Sequence, residues 1–289
     1  MRYQRTIKDS VECIGIGLHT GIEVSLRLSP APPDTGIVFT RNDKKSTIKA
    51  RVDNIVATDY SSTLGLNGSS IQTVEHLLAA VAGLNIDNLY VEVDSSEVPI
   101  MDGSAHPFVE LILKIGIRQQ DRIKPHIKIV EPIEIVETNR YIKIEPSPFP
   151  AITYLMDFDH PLLSNQRLLY YYSIESFIKD IAPARTFGFL KDVITLQEKG
   201  LGRGGSLKNV IILGDMEILN EEGLRYKDEF IRHKVLDLIG DMSLLSMSFI
   251  GHITAYRSGH NLNTRLASTI LANSDKWIEV GQSEIDITV

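Results

Sequence analysis

The chain has 289 residues, enough for one large domain or two smaller ones, with 43% hydrophobic and 23% charged residues and no apolar run of about 18 residues that could span a bilayer. A net charge of −7 excludes a general nucleic-acid binder, which needs clustered Lys and Arg against phosphates, and the single cysteine, Cys13, excludes an internal disulfide and a thiolate-rich metal site. The N-terminus is basic but has no apolar run behind it, so the expectation is a cytoplasmic protein without stable membrane insertion or a nucleic-acid partner.

Short β-type runs separated by turn residues predict strands over 11–17, 23–28 and 36–40. A helix through 74–82 stops at Gly83, a strand follows at 88–93, and a second helix runs from Pro107 to about Ile115 and closes at Gly116. Residues 118–125 are polar and end in Pro125, which reads as a linker between a first domain, 1–122, and a second, 126–275, with a polar tail over 276–289. The second part is expected to hold strands at 127–130, 141–144, 152–158 and 167–172, then helices near 174–180 and 189–199. A strand at 209–213, a long helix over 227–246, a strand at 253–256 and a last helix over 261–272 complete it. Strands and helices mix without strict βαβ alternation, so the fold class is α+β.

Gly200-Leu201-Gly202-Arg203-Gly204-Gly205 has the G-x-G-x-x-G spacing of a dinucleotide site, but a helical pattern precedes it and a strand follows. A nucleotide fingerprint needs the reverse, so that a helix N-terminus faces the pyrophosphate; the segment reads as a flexible loop. The stretch 228–242 is more informative. At 100° per residue, His233 and Asp237 lie about 40° apart, while Ile231, Val235, Leu238 and Met242 gather on the opposite side. Imidazole and carboxylate four residues apart can reach one cation, and that pair suits zinc; an ordinary solvated His/Asp pair would look the same. A catalytic zinc needs a third protein ligand, for which His76 is the best candidate because Glu75 beside it could take a proton from water, although such dipeptides are common by chance. His260, at the turn between a strand and the last helix, fits either a catalytic or a capping role.

Taken together, these segments resemble the UDP-3-O-acyl-N-acetylglucosamine deacetylase family. The likeness rests on Gly15-Ile16-Gly17-Leu18-His19-Thr20-Gly21, Thr73-Val74-Glu75-His76-Leu77, Pro99-Ile100-Met101-Asp102-Gly103-Ser104-Ala105 and Ala184-Arg185-Thr186-Phe187-Gly188. It continues through Leu224-Arg225-Tyr226, residues 228–237, and Ser258-Gly259-His260-Asn261-Leu262-Asn263.

The resemblance implies two similar two-layer α/β sandwich domains with the active site between them, and zinc-dependent removal of the N-acetyl group from an acylated UDP-sugar, in lipid A synthesis; a monomer is expected. It implies zinc on His76, His233 and Asp237, Glu75 as general base, His260 as general acid oriented by Asp241, and Thr186 at the oxyanion. Lys234 would hold His260 or the substrate electrostatically. His19, Asp157, Phe158 and Arg257 fall where the family contacts the UDP-sugar, and Phe187 opens an insert, 187–212, that would form an apolar passage for the acyl chain. His106, His126, His160 and His252 are expected to be structural or surface residues. A zinc amidohydrolase for another N-acyl sugar nucleotide is the first alternative; a non-enzymatic sensor would have lost Glu75 or His260, and both are present.

Overall fold

The computed structural model describes residues 2–280. It contains two five-stranded sheets with one strand order. In the first, Val11–Ile16, Glu23–Pro30, Leu89–Val93, Ile37–Arg41 and Ser46–Lys49 lie side by side, and only Leu89–Val93 and Ile37–Arg41 run parallel. In the second, Ile133–Glu137, Arg140–Glu145, His252–Tyr256, Ala151–Met156 and Gln166–Tyr171 repeat that order, with the one parallel pair in the same place. Alternation decides which face is inward: Val24, Leu26 and Leu28 on one strand are all fully buried while their neighbours are not.

Helices occupy matching places in the two halves. In the first, α1 (Glu75–Gly83) precedes the late central strand and α2 (His106–Ile115) follows it. In the second, a single turn α3 (Ile174–Ser176) and an exposed α4 (Leu190–Glu198) come first, then α5 (Glu229–Met242) before the late central strand and α6 (His260–Ala272) after it. α1 reads Glu-His-Leu-Leu-Ala-Ala-Val-Ala-Gly, apolar around most of its circumference, and almost every residue in it is buried. It is enclosed because α5 packs along it. Gly240 on α5 makes the close crossing possible, since a Cβ there would lie 2.2 Å from the carbonyl oxygen of Glu75.

Several expectations are corrected. The polar stretch read as a linker contains a strand, Ile117–Ile123, paired antiparallel with Tyr3–Ile7; it looks polar because only Gln120 on it is buried. The helix expected near 174–180 is one α-helical turn, capped by Ser173, running into a wider π-helical turn over Phe177–Ile181. The tail expected from 276 begins with a strand, Trp277–Val280, antiparallel to His126–Ile129; the rest of it, 281–289, lies outside the described residues. The helix expected to run to 246 ends as an α-helix at Met242 and tightens into a 3-10 turn, Ser243–Leu245. Among the described residues, no helix is long and apolar enough to cross a membrane. Cys13 is unpaired, and burial pushes its thiol up to about 11, which leaves it a small inert side chain.

Candidate metal centre

α1 starts from a strained turn. Thr73 holds a left-handed φ of 60°, a conformation that costs a β-branched residue on the order of 1–3 kcal/mol. Its hydroxyl donates to Glu97 Oε1 at 2.9 Å. The same buried carboxylate accepts the backbone N–H groups of His19 and Thr20, each at 2.8 Å, and the Thr20 hydroxyl at 2.7 Å. Glu97 therefore ties the His19 loop to the turn that launches Glu75 and His76.

Opposite, the first turn of α5 carries Glu229, fully buried, which accepts Arg185 Nε–H at 2.8 Å and the Arg185 backbone N–H at 3.0 Å. That pins residues 184–186 against the helix, and the Ala184 carbonyl accepts a hydrogen bond from His233 Nδ1 at 3.0 Å. A carbonyl can only accept, so Nδ1 carries a proton, and a ring with that single proton would present its lone pair at Nε2. This Nε2 faces Asp237 Oδ1 at 3.2 Å, and His76 Nε2 faces the same oxygen at 3.7 Å. The two rings meet edge to face, with centroids 4.9 Å apart.

Burial lowers the His76 pKa, keeping that ring neutral as well. Burial also opposes ionisation of Asp237, yet its charged neighbours, with the Lys234 ammonium donating to it, outweigh that penalty and hold the carboxyl well below its usual range. Lone pairs and a carboxylate thus converge, buried, with ligand atoms within 4.8 Å of one another. A divalent cation held by the three would be favoured by that arrangement, and two imidazoles with one carboxylate are a donor set that zinc accepts. Among the described residues His76 Nδ1 is buried without a partner, so His76 lacks the second anchor that His233 has.

Beside the cluster stand a buried carboxyl and an imidazole, Glu75 and His260. Glu75 Oε2 accepts the Ser62 N–H at 3.0 Å, and Glu75 Oε1 lies 3.8 Å from His260 Nε2. Burial pushes the Glu75 carboxyl up to about 7, with His260 opposing and Asp241 and Asp237 adding to the rise. For His260 burial works against the charged ring, but Asp241 and Glu75 outweigh it and push the pKa up to about 10. Asp241, fully buried, accepts His260 Nδ1–H and Asn263 Nδ2–H, each at 2.9 Å, and the Ser62 hydroxyl at 2.5 Å.

A family model described as UDP-3-O-acyl N-acetylglycosamine deacetylase matches residues 4–272. Three proteins named UDP-3-O-acyl-N-acetylglucosamine deacetylase are similar along nearly the whole length. That of Thioalkalivibrio sulfidiphilus (strain HL-EbGR7) is 49% identical over 278 residues, 95% of this chain and 91% of its own. That of Nitrosococcus oceani is 48% identical over 278 residues, again 95% and 91%. That of Syntrophus aciditrophicus (strain SB) is 44% identical over 279 residues, 96% and 89%. The chain belongs to the UDP-3-O-acyl N-acetylglycosamine deacetylase family.

The other residues that the deacetylase resemblance singled out are distributed around this centre. Lys234 Nζ donates to Asp237 Oδ2 at 2.8 Å and lies 5.5 Å from the Phe187 ring centroid; its partner is Asp237, where the sequence suggested His260 or substrate. The Phe187 ring sits 6.3 Å from that of His233. Thr186 is held by its backbone, donating to Gly103 O and accepting from Ile211 N, each at 2.8 Å. His19 is buried, and its Nε2 has no partner among the described residues. The glycine loop packs on it: Gly202 N–H reaches His19 Nδ1 at 3.4 Å, and Gly204 N–H donates to Leu18 O at 3.0 Å.

Asp157, Phe158 and Arg257 collect at adjoining strand ends. Asp157 accepts the Tyr256 hydroxyl at 3.3 Å, and Arg257 donates its backbone N–H to Leu155 O at 3.0 Å. His106, His160 and His252 instead meet Glu110, Gly214 O and Thr153. Sequence reasoning missed Glu97, Ser62 and Asn263. Asn263 lay within a quoted motif; nothing in the order of residues marks Glu97 or Ser62.

Proposed function

We propose that this chain hydrolyses the N-acetyl group of UDP-3-O-acyl-N-acetylglucosamine, giving UDP-3-O-acyl-glucosamine and acetate, the deacetylation step of lipid A synthesis, with zinc held by His76, His233 and Asp237. The observation that carries this reading is the acid–base pair, Glu75 and His260, 3.8 Å apart beside three buried ligand atoms. Zinc, when bound, would acidify water and polarise the acetamide carbonyl.

The chain's own residues do the rest. Glu75, its pKa near neutrality, accepts the proton of the attacking water at the carboxylate edge not committed to Ser62. Thr186 donates to the oxyanion of the tetrahedral adduct. The C–N bond then breaks as His260 gives its Nε2 proton to the departing amine, and acetate leaves. Asp241 keeps the ring in place throughout, because Nδ1–H is engaged with its carboxylate. Lys234 shares Asp237 and keeps it ionised.

The insert supports an acylated substrate: Leu190 and Ile194 on α4 are 51% and 70% exposed, apolar side chains with no core to serve. His19, Asp157, Phe158, Phe187 and Arg257 are taken as the contacts to the rest of the UDP-sugar. We place the reaction in the cytoplasm, where the lone unpaired Cys13 suits a reducing milieu, and take the chain to act as a monomer. Acetate release from the acylated UDP-sugar, assayed with and without a chelator and after zinc is restored, tests the reading. Turnover that survives complete metal removal would sink it.

A further inference from the structure

A second cavity lies along the same two helices but away from the metal group. It measures about 330 Å³ and is bounded by Val81 and Ala82 of α1, Ile239 and Met242 of α5, Ile152 and Met247. None of Glu75, His76, His233, Asp237 or His260 lines it. At a share of about 30 Å³ per water it has room for on the order of ten waters, at the small end of ligand sites. Its walls are mostly apolar.

Its polar lining is concentrated in one group. Arg2 Nη2 and Lys124 Nζ both contact Asp87 Oδ1 at 3.1 Å, so two cations share one carboxylate and a positive charge is left over. Among the described residues, Arg2 Nε and His126 Nδ1 are buried with no hydrogen-bond partner, and His126 as a whole is only 9% exposed. Arg Nε–H can only donate, and a buried donor without an acceptor is costly. The His126 pKa is lowered by burial, with Arg2 and Lys124 adding, which fits a ring held beside uncompensated positive charge.

We propose that this cavity binds a single-chain amphiphile with a carboxylate head, the alkyl chain between α1 and α5 and the head on Arg2 and Lys124. A carboxylate supplies the acceptor that Arg2 Nε lacks and neutralises the excess cation, and the chain fills a wall that offers water few partners. The occupant would rest on the two helices that carry the three metal-site side chains.

The six methionines provide the test, because Met242 and Met247 line the cavity while Met101, Met156 and Met216 do not. With methyl-13C methionine in the full chain, titration with decanoate should shift the Met242 and Met247 signals saturably. Decanol, lacking the charge, should bind about tenfold more weakly, the worth of a hydrogen bond to a charged group. Arg2→Met and Lys124→Met should each bring decanoate toward the decanol midpoint. Unmoved Met242 and Met247 signals overturn the proposal, even if decanoate binds elsewhere; so does a decanoate midpoint unchanged in both variants.

Discussion

His260 and Asp241 form the most consequential residue pair. The carboxylate, itself held by Asn263 and Ser62, raises the His260 pKa to about 10 against the penalty of burial. A raised folded-state pKa means that the charged ring stabilises the fold fully below the ordinary imidazole value of about 6.5 and that this contribution fades as pH climbs through about 10. In the proposed reaction the same interval would govern a proton donated by His260. The basic limb of kcat/KM should therefore fall at alkaline pH in the wild type and move toward neutrality in Asp241→Asn, with metal content unchanged. A basic limb that stays put in Asp241→Asn would remove Asp241 from that role.

Glu75→Ala and His260→Ala should each keep the metal and the fold while losing on the order of 10² to 10⁴ in kcat, the usual contribution of a positioned proton-transfer group. His76→Ala, His233→Ala and Asp237→Ala should instead lose metal, read directly by elemental analysis of the purified variants. The first set was legible from the sequence only through a dipeptide and a loop histidine. The second was half legible, because helical periodicity brings His233 and Asp237 together while nothing local joins His76 to them. Ser62 was invisible: it contacts Asp241 across 179 residues, and no periodicity reports a contact of that range.

At the scale of elements, the site depends on how closely α1 and α5 approach. Gly240 is the point of closest packing, and Gly240→Ala should cost about 1–3 kcal/mol as overpacking does, with kcat falling because Glu75 is displaced. Thermal unfolding and turnover measured together test this; a variant with unchanged Tm and kcat would mean that the helices part freely. Arg185→Met should be harsher, since it strands the buried Glu229 carboxylate, a loss of about 3–5 kcal/mol for a broken buried pair. Most long elements were legible from periodicity and caps, and α5 above all. Short ones such as Thr63–Leu66 and Ser69–Ile71 were not, because three or four residues hold too little pattern, and Ile117–Ile123 was hidden by its exposed faces.

Across the whole molecule, a substrate with an apolar tail should be strongly preferred. Each methylene moved from water to an apolar wall is worth about 0.8 kcal/mol, so UDP-N-acetylglucosamine without its acyl chain should show a kcat/KM lower by orders of magnitude. Equal values for the two sugars would favour a different N-acyl sugar nucleotide as the natural substrate.

The recurrence of one strand order in both sheets also bears on how the chain comes to be active. The strands of each five-stranded sheet pair only within their own half, whereas Glu75 and His76 meet His233, Asp237 and His260 only when α1 lies against α5. Non-local contacts form late, after the loop-closure entropy between them has been overcome. On refolding from denaturant, ellipticity should therefore recover ahead of deacetylation, and a metal-sensitive dye present in the mixture should lose its zinc to the protein on the slower of the two time courses. Catalysis would then be the clock for docking.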